Sequence, residues 1–245
     1  LCIDVSYSMY EPATLKGEQN ESLNHGFSVL SLTIVAAKTI LHSLNENDNI
    51  SIVTYSSEAR TLLENVACTA ENKTVIECEL DTLKPISNTN MWAGIHSSLD
   101  ILRTTSPANK MKGILLLTDG IPNVVPPRGH INMLEKYFRD HNFNCMFSCY
   151  GFGYNLESKL LSEISECSNG DGFSFIPDAS LLGTTFIHGI SNLLTTAVYN
   201  PSLTITLNKG VYFDNDSNKL EISIDSLKYG KSKNLMIHVN TERAS

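Results

Sequence analysis

Across residues 1–198, short apolar runs alternate with stretches whose apolar residues recur at helical spacing. A run of three residues ends at Asp4, and a polar loop follows through about Asn20. The segment 23–44 reads as a long helix, with Leu30, Ile34, Ala37 and Leu41 on one side. The β-branched run 50–55 predicts a strand, with 59–63 as a short antiparallel partner. Helices follow over 69–83, ending before Pro85, and over 92–102. Gly113-Ile-Leu-Leu-Leu117 is almost wholly apolar, as a parallel strand buried on both faces would be. A helix over 130–139, a strand over 145–152, a helix over 156–164, a strand over 172–176 and a helix over 181–198 complete the series. This alternation predicts an α/β fold: a doubly wound, mostly parallel sheet flanked by helices.

The period changes after Asn200-Pro201. The runs 203–207, 220–224 and 234–239 alternate at period two, with turn residues between them (Asn208 to Gly210, Asp214 to Asp216, Tyr229-Gly230). The expected organisation is therefore a domain over 1–198 and a small antiparallel β unit over 201–245. So few strands rarely stand alone, and the chain opens inside a strand without Met, so it reads as an excerpt of a longer protein.

Composition narrows the function classes. The 26 acidic residues against 18 basic ones give a net charge of −8, which opposes sequence-independent nucleic-acid binding. No apolar run approaches the ~18 residues of a membrane-spanning helix. The six cysteines match no disulfide framework or zinc spacing. Cys2, Cys145 and Cys149 sit in apolar runs and read as buried thiols of a reducing, cytoplasmic setting. Cys68 and Cys78 are the one pair suited to bridging. Sequons at Asn20, Asn72 and Asn215 are what an Asn- and Ser-rich chain produces by chance. The seven histidines show no metal spacing and read as surface or satisfied core residues.

The chemistry concentrates in three fragments at carboxyl ends of predicted strands or just before a helix. They are Asp4-Val5-Ser6-Tyr7-Ser8, Ser87-Asn88-Thr89-Asn90 and Thr118-Asp119-Gly120. Ligands of open α/β sheets bind at that edge. Two carboxylates and three hydroxyls are hard oxygen donors, suited to Mg²⁺ and tolerant of Mn²⁺ or Ca²⁺. Alternatives are ordinary strand-end turns, or a set that holds the residues without binding metal. Gly151-x-Gly153 lacks the third glycine of a dinucleotide loop, and no G-x-S-x-G elbow occurs. Ser6 stands where an aspartyl-phosphate enzyme would need a second aspartate, and no histidine lies in the three loops to act as a base.

These fragments, with the α/β rhythm, resemble the von Willebrand factor A domain and its metal-ion-dependent adhesion site. The resemblance spans roughly residues 1–198. It implies Ser6, Ser8 and Thr89 as hydroxyl ligands and Asp4 and Asp119 as carboxylates, often through water. It implies a non-enzymatic interaction module in which an Asp or Glu of a partner protein completes the cation's shell. Tyr7 stands where the family usually has glycine, and Ser87-Asn88 replaces a common glycine pair. Tyr7, Asn88 and Asn90 are candidate partner contacts. The stretch 150–155 and Phe173 to Pro177 resemble a eukaryotic intracellular subfamily found beside intein-like or ubiquitin-ligase modules. The tail resembles the β unit of inter-α-trypsin-inhibitor heavy chains. A second expectation follows: a substrate-recruiting module of a larger ubiquitin-ligase or protein-processing enzyme.

Overall fold

The computed structural model describes residues 1–16, 22–105, 110–153, 156–168, 170, 172–176, 182–199, 201–208, 211–213, 217–224 and 226–241. The sequons at Asn20 and Asn215, the loop end at Asn20, Tyr154 and Asn155, Pro177, the junction residue Asn200, and the turn residues Lys209, Gly210, Asp214 and Asp216 lie outside them. The chain divides into two compact units, Leu1–Ser191 and Asn192–Ser245.

In the first unit, β1 (Cys2–Asp4), β4 (Asn49–Tyr55), β5 (Ala59–Ala67), β6 (Gly113–Thr118), β7 (Met146–Phe152) and β8 (Gly172–Ile176) form a six-stranded sheet in the order β5-β4-β1-β6-β7-β8. All neighbours are parallel except the β4–β5 pair. This is the doubly wound, mostly parallel α/β architecture that the alternation predicts. Short as it is, β1 sits in the middle of the sheet, with Asp4 in register with Tyr55 and Ile3 with Leu117. In β6 the residues from Ile114 to Thr118 are buried, as the almost wholly apolar run 113–117 predicts, and the β7 residues are buried throughout.

The helices are α1 (Val29–Ser43), α2 (Ala70–Asp81), α3 (Met91–Thr105), α4 (His130–His141), α5 (Ser158–Cys167) and α6 (Leu182–Thr195). One core cluster packs Met91, Ile95 and Leu99 of α3, Leu134 of α4 and Leu161 of α5 against strand residues Cys2, Leu116 and Phe147. The alternating Ile3 and Leu117 point to the other sheet face. Gly94 on α3 lies directly under the Tyr55 ring: a Cβ there would stand 2.7 Å from the Tyr55 Cγ. Only glycine lets that ring pack so close.

Three segments depart from the sequence expectations. The tract between the first strand and the first helix carries an antiparallel hairpin, β2 (Pro12–Lys16) and β3 (Ser22–Ser28). Helix α1 therefore starts at Val29, not near residue 23. Its start is set by Ser28, whose side chain accepts from the Ser31 N–H, and Gly26 upstream has a φ of +77° that no helix contains. Second, the last helix of the series ends at Thr195, and the β-branched Thr196–Tyr199 forms a strand, β9.

In the second unit, β10 (Ser202–Thr206) pairs with β12 (Lys219–Ser223), β9 with β13 (Ser226–Lys228), and β11 (Val211–Tyr212) with β14 (Asn240–Thr241), all antiparallel. Third, the run 234–239, expected as a strand, is not one. Among the described residues no strand pairs with it to complete its backbone hydrogen bonds, and Leu235, Met236 and Val239 are exposed. All six cysteines are free, including Cys68 and Cys78, the pair singled out for a bridge. His130 departs from the expected satisfied histidine: its ring is buried, its Nε2 has no hydrogen-bond partner among the described residues, and burial lowers its pKa. Among the described residues, no helix is long and apolar enough to cross a membrane.

Candidate metal centre

The carboxyl ends of β1 and β6 lie side by side, and the loops leaving them meet. After Asp4 the chain turns into a short 3-10 helix, Tyr7–Tyr10, pinned by the fully buried Met9. This turn swings Ser6 and Ser8 back over the strand end. The Asp4 carboxylate accepts from the Ser6 N–H at 2.9 Å through Oδ1. Its Oδ2 accepts from the Thr118 hydroxyl at 2.7 Å. Ser8 Oγ donates to Asp119 Oδ1 at 2.8 Å and shares a 3.0 Å hydrogen bond with Ser6 Oγ. A hydroxyl carries one proton, so Ser6 is the donor to Ser8. Asp4, Ser6, Ser8 and Asp119 are thus one connected network.

Thr89 reaches the same edge by a different route. Its N–H donates to Asn123 Oδ1 at 3.0 Å, and its carbonyl accepts from the Asn123 N–H at 2.9 Å. Asn123 follows Asp119 on the same loop, so this double clamp ties the Thr89 loop to the Asp119 loop. The Tyr7 N–H donates to the Ser87 carbonyl at 3.0 Å and ties the first loop to the second. Ser87 has a φ of +57°, the left-handed region that glycine favours. Asp4, Ser6, Thr89 and Asp119 are buried, and Ser8 is partly buried.

The three candidate partner contacts fall into different surroundings. Tyr7 and Asn88 are exposed. Asn90 is half-buried, and its side chain is engaged internally: Oδ1 accepts from the Ala93 N–H at the start of α3, and Nδ2 donates to the Ser57 carbonyl.

The electrostatics bear on whether a cation fits. Burial raises the Asp4 carboxyl pKa, against hydrogen bonds from Ser6 and Thr118. Burial pushes Asp119 up to about 7, helped by the Asp4 charge and by Glu11, and opposed by the Ser8 hydrogen bond. No cationic side chain is among the causes of either shift. The Tyr55 ring is fully buried, with its hydroxyl interacting with Asp4 and Thr118. Two buried carboxylates that burial disfavours as anions match a place where a cation would balance charge. The donors are oxygens only, which suits a hard divalent ion. Among the described residues no group of three or more His, Cys, Asp or Glu could hold a metal, as expected where hydroxyls supply most of the donors.

Thr118, Tyr55 and Asn123 contact the candidate residues, and no motif or periodicity singles any of them out. Thr118 sits beside Asp119 in the motif itself. Its use depends on β1 and β6 being neighbours, which the spacing of the motifs does not state.

A sequence model of the von Willebrand factor type A domain matches residues 1–121. The chain is 28% identical over 154 residues to the protein YfbK of Escherichia coli (strain K12), a match covering 62% of this chain and 26% of that protein. Among solved structures, a von Willebrand factor type A protein from Catenulispora acidiphila aligns with a TM-score of 0.72 at 17% identity, covering 92% of this chain and 54% of that one. Proximal thread matrix protein 1 from the mussel byssus, described with a zinc-occupied MIDAS motif, aligns with a TM-score of 0.56 at 18% identity, covering 77% of this chain and 43% of its own. The fold is von Willebrand factor A-like, and the chain spans only part of each of these relatives.

Proposed function

We propose that this chain is a von Willebrand factor A module whose metal-ion-dependent adhesion site, formed by Asp4, Ser6, Ser8, Thr89 and Asp119, captures an acidic side chain of a partner protein. The hydrogen-bonded network from Asp4 through Ser6 and Ser8 to Asp119 carries this proposal. It gathers oxygen donors from loops far apart in sequence at one sheet edge. The zinc-occupied motif of the mussel protein supports it by likeness of fold.

A bound divalent cation, Mg²⁺ first among the candidates, supplies a Lewis-acid position for a carboxylate oxygen of the partner. The chain's own residues do the rest. Ser6 and Ser8 are neutral and leave charge on the ion for the partner to compensate. Thr118 and the Ser6 N–H hold the Asp4 carboxylate in a fixed orientation. Asn123 keeps the Thr89 loop beside Asp119. Without the ion, the partner's carboxylate would face Asp4 and Asp119, like charge against like. The proposed activity is recognition without bond making, since no histidine lies in the three loops to act as a base. The burial of the Cys2, Cys145 and Cys149 thiols supports an intracellular setting.

A pull-down from cell lysate tests this in Mg²⁺, in EDTA and with Asp4→Ala, with circular dichroism as the folding control. Partners retained in Mg²⁺ and absent from the other two lanes are the expected result. The same partners in all three lanes would move binding to another surface.

A further inference from the structure

The surface around the metal centre has a character that the motif does not require. Tyr7 and Tyr10 are 70% and 75% exposed, because Met9 between them takes the inward position of the 3-10 turn. Ile86 is exposed on the loop before Thr89, and its N–H donates to the Val5 carbonyl at 2.7 Å, which holds it beside the first loop. Ile121, Val124 and Val125 are exposed on the loop after Asp119, where the buried Pro122 and Pro126 turn inward. The Val124 N–H donates to the Thr89 carbonyl at 3.3 Å, so this loop too is fixed against the site. Six apolar or aromatic side chains, none of them charged, therefore flank the donors on all three loops. Clustered exposed apolar residues with a polar centre are the mark of an interaction surface.

We infer that the partner presents a single carboxylate flanked by apolar or aromatic side chains, which settle on this uncharged collar. The inference rests on the metal-bridge proposal and names the class of partner for it. Charge complementarity selects this class over an acidic cluster. Two carboxylates and a divalent cation sum to neutrality, so one incoming carboxylate already takes the centre to −1 and every further acidic group adds repulsion. Glu11 already acts on Asp119 as a like charge, and the chain carries a net −8, so further acidic groups meet repulsion. Apolar flanks instead gain by burial against Tyr7, Tyr10 and Val125.

Short synthetic peptides with one central Asp test this in the full chain, by fluorescence polarisation in Mn²⁺ and in EDTA. One peptide carries Leu and Phe flanks, one Ser flanks and one Glu flanks. The Leu/Phe peptide is expected to bind about tenfold more tightly than the Ser peptide, with the Glu peptide weakest. The preference should vanish in Tyr7→Ser/Tyr10→Ser, which keeps every metal donor. Calorimetric Mn²⁺ binding in that variant, unchanged from wild type, shows that the site itself is intact. Equal binding of the three peptides, a preference for Glu flanks, no binding by any, or tyrosine-dependent self-association without peptide preference would overturn the inference. Leu/Phe preference that persists in EDTA would uphold the collar and sink the metal bridge, so the two ideas fail separately.

Discussion

Thr118 Oγ1 donates to Asp4 Oδ2 at 2.7 Å from the strand next to β1. The bond is buried and joins residues 114 positions apart in the chain. It fixes one carboxylate oxygen of Asp4 while the Ser6 N–H fixes the other. Groups that orient a ligand typically change metal affinity by about 10–100-fold when removed. Thr118→Val keeps the shape and the β-branch and removes only the donor. We expect Mn²⁺ affinity, measured by calorimetry, to fall at least about tenfold while the circular dichroism spectrum is unchanged. Wild-type affinity in this variant would remove Thr118 from the site.

The pKa shift of Asp119 sets a pH dependence for the metal-free protein. Its folded value of about 7 lies above the ordinary carboxylate value of 3.8. Between those values the folded chain holds more protons than the unfolded chain, so this group makes stability fall as pH rises through the window. In EDTA, the melting temperature is expected to be higher near pH 5 than near pH 7.5, both roughly chosen to sit inside and above the window. Asp119→Asn should reduce the loss of stability with rising pH. Asp4, also raised by burial, acts in the same sense. The Leu1 amino group, lowered to about 6, and His130, also lowered by burial, act in the opposite one. The lowered carboxyls of Asp100 and Asp140 lose their stabilising contribution only as pH falls below the usual carboxylate range, outside this window. A slope equal in wild type and Asp119→Asn would show that another group titrates.

Gly94 tests the packing beneath the site. An alanine methyl there would overlap the Tyr55 ring, whose neighbour in register is Asp4. Overpacking of this kind costs about 1–3 kcal/mol. Urea unfolding of Gly94→Ala should show that loss, and Tyr55→Leu in the same chain should recover part of it, because the two positions share one space. Additive losses in the double variant would mean that the ring can move aside freely.

Much of the fold was legible because its strands are buried on both faces and its helices carry an apolar side. Asp4, Ser6, Ser8 and Asp119 are legible as candidate donors because each lies at or just past a strand end, and the structure brings them into one hydrogen-bonded network. Thr118 is not legible, since its role requires knowing that β6 lies beside β1. Tyr55 read only as the end of a strand, and its meaning lies in its register with Asp4. Asn123 sits in a proline-bounded loop with no periodicity to mark it. The β2–β3 hairpin is not legible because its polar residues merge with the approach to α1, and only the Ser28 cap separates them. The run 234–239 shows the converse: a strand-like alternation that finds no ladder.

Asp119 and the Asp4–Ser6–Ser8 network are proposed to hold a divalent cation. Titration of the EDTA-stripped protein with Mn²⁺, followed by electron paramagnetic resonance of the free ion, tests it most directly. A single saturable site is expected in the wild type and is expected to disappear in Asp119→Ala, with both proteins folded. An Asp119→Ala variant that takes up Mn²⁺ with wild-type stoichiometry and affinity would contradict it.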